Sequence, residues 1–299
     1  MTSLAAALAG DASARLLAVH VDDVGMCHGA NTAFLELFRA GAVTCGSVMV
    51  PCPWFREIAD AAAADRSLDL GVHLTLTSEW AHYRWAPIST VSRASGLVDE
   101  QGFLPRTSLE VVQRAKPEEV EIELRAQIEM ALAAGIDVTH LDAHMGTAFY
   151  PPFLPIYAKL AVDYRLPVFA FRPEDEVLAS LGLTPFGPFL RSLVDELGEA
   201  GIPVLDGFCA DSLSFAEGDG LAHNRRRLAK LGPGVSYLIC HAAQGGEELT
   251  AVTPGSAHQR DFERAFYGGE AGRRELGSAG IRTAGMRALR ALVRRGENP

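Results

Sequence analysis

The sequence predicts an α/β protein built as a distorted TIM-like (β/α) barrel of about seven parallel strands. Three observations lead there. Short β-rich runs alternate with helix-length segments along the chain, the pattern of parallel βαβ units. Asp22, Asp23, His73, His144 and His241 stand at or near the C-terminal ends of those runs, where barrel enzymes gather their chemistry. An open doubly wound sheet also fits the alternation, but no Gly-x-Gly-x-x-Gly follows the first strand and no Gly-Lys-Ser/Thr loop occurs. No repeat, low-complexity tract or linker divides the chain, so residues 1–299 read as one domain.

Taken in order, residues 16–21 form an apolar run ending in Asp22-Asp23, read as a buried strand with carboxylates at its end. Gly25 allows a turn. Ala33, Phe34, Leu37 and Phe38 give residues 31–40 a helical face, stopped at Gly41. Residues 43–50 are a second strand, Pro53 opens a helix to about residue 66, and 70–77 is a third strand carrying His73. Residues 78–116 break the rhythm with Trp80, His82, Tyr83 and Trp85 beside Pro87. So long a connection is either a loop over a site, its rings suited to stacking on sugars, or an apolar plug closing one end of the domain.

Pro117-Glu118-Glu119 starts a strong helix to Gly135, with acidic residues where the dipole favours them. Residues 138–145 are a strand, 151–165 a helix and 167–172 a further strand. Residues 174–201 are helical with an interruption near 185–188, and 202–208 are a strand. Residues 224–231 are helical, 235–241 are the last clear strand, and 256–295 are helical around a short strand near 281–284.

The formal net charge is −10 and the pI near 5.4, with no long basic run, which argues against nucleic acid as a partner. Five scattered cysteines show no Cys-x-x-Cys spacing, so a reducing, cytoplasmic setting is expected. The N-terminus lacks the basic segment of a signal peptide, and no apolar run approaches about 20 residues, so no membrane span is expected.

The chemistry centres on Thr139-His140-Leu141-Asp142-Ala143-His144. In a strand, His140, Asp142 and His144 share one face, and three such groups are costly to bury without a metal or each other. Asp23, His73 and His144 offer one carboxylate and two imidazoles, a donor set for one divalent ion, zinc, with magnesium the alternative. Asp22 is then free as a general base and His241 as a general acid for hydrolysis of an acyl or amide bond. His140 and Asp142 serve behind the ligands, and Arg172 is the one obvious cation for a substrate. Plainer readings exist: Asp22-Asp23 as a turn or cap, His73 as a satisfied core histidine, and His20 and His28 as local polar contacts.

Asp22-Asp23-Val24-Gly25, Asn31, Gly41-Ala42-Val43-Thr44, Gly71-Val72-His73-Leu74-Thr75 and the His140–His144 run appear in that order. Together they resemble the YdjC-like (ChbG/HpnK-type) carbohydrate deacetylases, whose usual opening is Asp-Asp-Phe-Gly, then Asn, then Gly-Ile-Val-Thr. The resemblance implies a distorted barrel, a divalent metal, an N-acetylated carbohydrate as substrate and a homodimer as a compatible state. It carries Asp23, His73 and His144 over as ligands, Asp22 as base and His241 as acid. Three positions depart from the pattern. Met145-Gly146-Thr147 stands where further histidines are usual, Ala242-Ala243 follows His241 in place of Pro-Gly, and His20 replaces a common Asn. Two alternatives share the scaffold: another metal hydrolase such as a phosphoesterase, and a sugar-binding protein without turnover.

Overall fold

The computed structural model describes residues 3–180 and 182–295. The ends of the expected domain, 1–2 and 296–299, and position 181 of the expected 174–201 helix lie outside them. After α1 (Leu4–Ala9), the chain alternates β1 (Arg15–Val24), α2 (His28–Arg39), β2 (Cys45–Val48), α3 (Phe55–Ala64) and β3 (Leu70–Leu74). A long connection contains α4 (Ser108–Arg114) and leads to α5 (Pro117–Ala133) and β4 (Leu141–Ala143). Then come α6 (Leu154–Tyr164), α7 (Asp175–Ser180), α8 (Gly187–Glu199), β5 (Gly207–Cys209), α9 (Gly220–Ala229) and β6 (Gly234–Cys240). The chain ends with α10 (Glu247–Val252), α11 (Ala257–Gly268), α12 (Glu270–Ser278), β7 (Arg282–Thr283) and α13 (Met286–Val293).

The strands are parallel in the order β4-β3-β2-β1-β6-β5, with β7 added to β1. Single bridges Leu141–Val168 and Phe171–Leu205 carry the sheet round from β4 toward β5. The sheet thus curls into the expected distorted barrel. The strand expected at 167–172 is reduced to those two bridges, and the one expected at 202–208 regularises only from Gly207. Pro167 and Pro203 each lack the N–H a ladder needs. The third strand also stops short of 77. At Thr75 the Gln127 side chain replaces the ladder, accepting from the backbone N–H at 2.8 Å and donating to the carbonyl at 2.7 Å.

The main core packs Val19, Val21, Val48, Leu70, Val72 and Leu141 against α2, α3, α5 and α6. Residues 78–116 form a plug: Trp85 is buried, its indole N–H donating to the Thr77 carbonyl at 2.8 Å, and Trp80 and Tyr83 pack against it. Buried Glu123 of α5 anchors this segment by accepting the N–H groups of Ile88 and Ser89.

At the far end, α13 is fastened through Asp137. Its carboxylate receives Arg290 at 2.6 and 2.8 Å and also Arg287. Arg290, and then Arg287, hold the Asp137 carboxyl well below the usual carboxylate range, against its partial burial. A depressed pKa stabilises the fold above the unfolded-state value, near 4, and that contribution disappears as pH falls through the folded-state value. Asp137→Asn is expected to cost about 1–2 kcal/mol in urea unfolding at pH 7, and much less near pH 2. A pH-independent difference would assign the loss to packing.

Candidate metal centre

Neighbouring residues of a regular strand face opposite sides, yet Asp22 and Asp23 both reach the mouth of the barrel. The pairing of β1 with β2 slips between Val21 and Val24, and Asp23 takes φ 61°, a left-handed conformation uncommon outside glycine. Gly25 continues the turn at φ 88°, and its N–H donates to the Asn31 side chain at 2.7 Å. Asn31 in turn donates to Glu57 at 2.7 Å and to the Trp54 carbonyl at 3.0 Å, tying β1 to the start of α3. Strained backbone of this kind persists only where its surroundings over-determine it.

Asp23, His73 and His144 converge, their ligand atoms within 4.8 Å of one another and all three residues buried. Asp23 Oδ1 lies 3.4 Å from His73 Nε2 and 3.2 Å from His144 Nδ1, yet it is a buried oxygen without a hydrogen-bond partner. The opposite atom of each residue is engaged. Asp23 Oδ2 accepts from Arg260 at 2.8 Å, His73 Nδ1 meets Asp142 at 2.9 Å, and His144 Nε2 meets Glu79 at 3.1 Å. Three donor atoms therefore face one point, each fixed from behind, which is the arrangement a metal ligand set needs. Two other acid–histidine groups contain Asp142. They are hydrogen-bonded within themselves: His73 pairs with Asp142, and His20 with His140.

The electrostatics agree with cation binding. Burial alone would raise the Asp23 carboxyl, but Arg260 and the two imidazoles hold it well below its ordinary value. Burial opposes charge on His73, and Asp142 and Asp22 outweigh it, keeping that imidazole well above its usual pKa. His144 is raised to about 9, because the Glu79 and Asp23 carboxylates overcome its burial. Asp142 also accepts from Ser47 at 2.9 Å and Tyr237 at 3.1 Å, so three donors fix it behind His73. Asp142→Asn is expected to weaken divalent-metal affinity about 10–100-fold in a competition titration. An unchanged affinity would remove Asp142 from the support of the site.

Asp22 sits beside the candidate ligands, its Oδ2 3.9 Å from His73 Nε2 and 3.8 Å from His241 Nε2. Its other oxygen meets His20 Nδ1 at 2.7 Å. Behind it runs a buried polar chain: His20 Nε2 to His140 Nε2 at 2.8 Å, His140 Nδ1 to Thr139 Oγ1 at 2.9 Å, and Thr139 to Asp69 at 2.6 Å. On the other side, Ser212 donates to Glu263 at 2.7 Å, so its oxygen accepts from His241 Nδ1 at 2.9 Å. His241 Nε2 is left facing Asp22. Burial lowers the pKa of His241 to about 4, against the pull of Asp23 and Asp22.

Asp22, Asp23, His73, His144 and His241 thus meet at one place, with Asp142 and His140 behind them. Arg172 does not join them. Its side chain is about half exposed and turns to Asp206 at 3.4 Å. The cation at the centre is instead Arg260 of α11, which the sequence reading missed, as it missed Glu79, Ser212 and Glu263. His20 is more than a local contact, since it links the carboxylate of Asp22 to His140.

A family model described as YdjC-like protein matches residues 16–276. A carbohydrate deacetylase of Thermus thermophilus is 36% identical over 83% of this chain and 85% of its own length. A carbohydrate deacetylase of Thermoanaerobacter pseudethanolicus is 26% identical over 84% of this chain and 89% of its own. Among solved structures, a protein of Enterococcus faecalis V583 named for cellobiose-phosphate cleavage aligns with TM-score 0.74 at 22% identity, covering 93% of this chain and 99% of that one. That likeness concerns the fold.

Proposed function

The chain belongs to the YdjC-like protein family, and from that premise we propose that it is a metal-dependent hydrolase removing the acetyl group from an N-acetylated sugar or a related small amide. The observation that carries the metal is the unpartnered Asp23 Oδ1 between two imidazole nitrogens whose rings are fixed from behind. Two nitrogens and one oxygen suit zinc, and Asp23, His73 and His144 would hold it. Bound there, a divalent ion would polarise the acetyl carbonyl and acidify water beside it.

The chain's own groups supply the proton transfers. Asp22 is held by His20 and open on the side of the ligands, so it accepts the proton of the attacking water. The C–N bond then breaks, and the leaving nitrogen needs a proton. His241 keeps its own hydrogen on Nδ1 toward Ser212 and presents Nε2 to Asp22. The proton collected by Asp22 can pass to the leaving nitrogen through that Nε2, so no other acid is required. Arg260 holds the Asp23 carboxylate in its charged form throughout.

Elemental analysis of the purified protein, paired with acetate release from a panel of N-acetylated sugars, tests this reading. About one divalent ion per chain is expected, with release abolished by chelator and restored by zinc. A metal-free protein that still released acetate would overturn it.

A further inference from the structure

Beneath His241 lies a buried ion pair that the proton transfers above do not use. Glu263 of α11 and Arg227 of α9 are both fully buried, with Arg227 Nη1 2.9 Å from Glu263 Oε1. Arg227 also meets Asn224 Oδ1 at 2.9 Å and the Tyr267 hydroxyl at 3.3 Å, and it donates to the Ile239 carbonyl of β6. Burying such a pair costs desolvation that its attraction repays only in part, and hydrocarbon of similar volume often serves as well. Stability alone therefore does not account for it. The second oxygen of Glu263 does. Oε2 accepts the backbone N–H of His241 at 2.7 Å and the Ser212 hydroxyl at 2.7 Å. Ser212 is itself buried, and its oxygen lies 2.9 Å from His241 Nδ1. One carboxylate oxygen thus grips the main chain of His241 directly and its ring through a hydroxyl.

The direction of these hydrogens follows from what each group can give. A carboxylate only accepts, and a serine has one hydrogen. Once Glu263 takes that hydrogen, the Ser212 oxygen can only accept from Nδ1. Burial lowers His241 to about 4, against the pull of Asp23 and Asp22, so at neutral pH the ring has a single hydrogen to place. The Asp22 carboxylate, 3.8 Å from Nε2, draws it the other way. Two acids on opposite sides of one imidazole compete for that hydrogen. We infer that Glu263, paired with Arg227 and acting through Ser212, is a positioning residue that fixes His241 in the tautomer with its hydrogen on Nδ1 and a bare Nε2 toward Asp22. The inference rests on the deacetylase reading for what Nε2 then does, and on the Arg227–Glu263–Ser212 line alone for the tautomer.

The tautomer can be read without turnover. Ring nitrogens with and without hydrogen differ widely in ¹⁵N shift, and His241→Gln identifies the His241 signals in zinc-loaded protein labelled at histidine. The spectra are taken at pH 8, because burial raises Glu263 to about 7 against the pull of Arg227. Wild type is expected to carry the hydrogen on Nδ1. Ser212→Ala removes the acceptor there but leaves Glu263 its contacts to Arg227 and to the His241 N–H, so the hydrogen should move to Nε2. Acetate release is followed on N-acetylglucosamine, its methyl glycoside and N,N′-diacetylchitobiose. In Ser212→Ala, kcat should fall about tenfold, the weight of one hydrogen bond, with KM within about twofold of wild type. Ser212→Thr keeps the hydroxyl and should restore both tautomer and kcat. Glu263→Gln should move the hydrogen as Ser212→Ala does. It also unpairs the His241 N–H, so its melt is recorded, and if it does not fold the two Ser212 variants decide. A hydrogen on Nε2 in wild type, or a tautomer unmoved in Ser212→Ala or in folded Glu263→Gln, would overturn the inference and leave deacetylation standing. So would a moved tautomer with unchanged kcat. The expected tautomers without acetate release from any of the three sugars would uphold the Glu263 line and sink the deacetylase reading.

Discussion

Replacing Asp22 with Asn is expected to lower kcat for acetate release about 10²–10⁴-fold, the usual share of a general base, while metal content stays near one ion per chain. The side chain keeps its shape, so the bulge at the end of β1 and its packing survive. The three proposed ligand residues keep their own supports, because Arg260, Asp142 and Glu79 hold them without using Asp22. What is lost is an acceptor for the proton of water, since a carboxamide oxygen is a far weaker base. KM should move little. Retention of more than a tenth of wild-type kcat would place the base elsewhere, and His241 Nε2, 3.8 Å away, would be the next residue to test.

His144→Ala should do more. It removes one of the three proposed ligands, and both metal and activity are expected to fall to background after dialysis against a metal-free buffer. The loss is also electrostatic. His144 stands between the Asp23 and Glu79 carboxylates at 3.2 and 3.1 Å. Without it the two acids face each other across a largely buried gap, with Arg260 and the His73 imidazole left beside Asp23. Removing one partner of a buried charge pair destabilises by about 3–5 kcal/mol. Metal analysis and a urea titration on one preparation separate the effects. A fully metallated, folded His144→Ala protein would take His144 out of the ligand set.

The candidate ligands were legible because Asp23 and His73 lie near the C-terminal ends of β1 and β3 and His144 directly follows β4, where the strand expected to run to 145 gives way to a turn. The two carboxylates were legible only as types. Regular strand geometry sends Asp22 and Asp23 to opposite faces, and nothing in the residue pattern announces the φ of 61° that brings them together. Arg260 was hidden for a different reason. It lies 237 residues from Asp23, on a helix rich in charged residues that reads as a solvated face. Arg172 stood beside a strand, looked the better candidate, and turned outward to Asp206. Glu79 was masked by the aromatics that follow it. Trp85 proved to be plug rather than stacking surface, because its one polar atom is used internally. Strand extents failed where prolines 167 and 203 remove donors, a local fact the hydrophobic pattern outweighed.

The buried chain from Asp22 to Asp69 has a consequence for the protein's inventory of hydrogens. Two ring nitrogens that face each other at 2.8 Å need one hydrogen between them. If His20 gives its other hydrogen to Asp22, the shared one must come from His140, whose Nδ1 then looks to Thr139. A threonine has one hydrogen to offer, and both His140 and Asp69 are within its reach. Either Asp69 carries a hydrogen and Thr139 serves His140, or His140 carries two and Thr139 serves Asp69. The total is the same in both. Burial raises the Asp69 carboxyl and, with the neighbouring His20, keeps His140 well below its usual pKa, and both shifts run in the direction of the uncharged version. In that version every donor points toward Asp22. The second oxygen of Asp69 receives the backbone N–H of Arg287 in α13. A helix with no residue at the candidate metal centre thus terminates the hydrogen-bonded line that reaches Asp22.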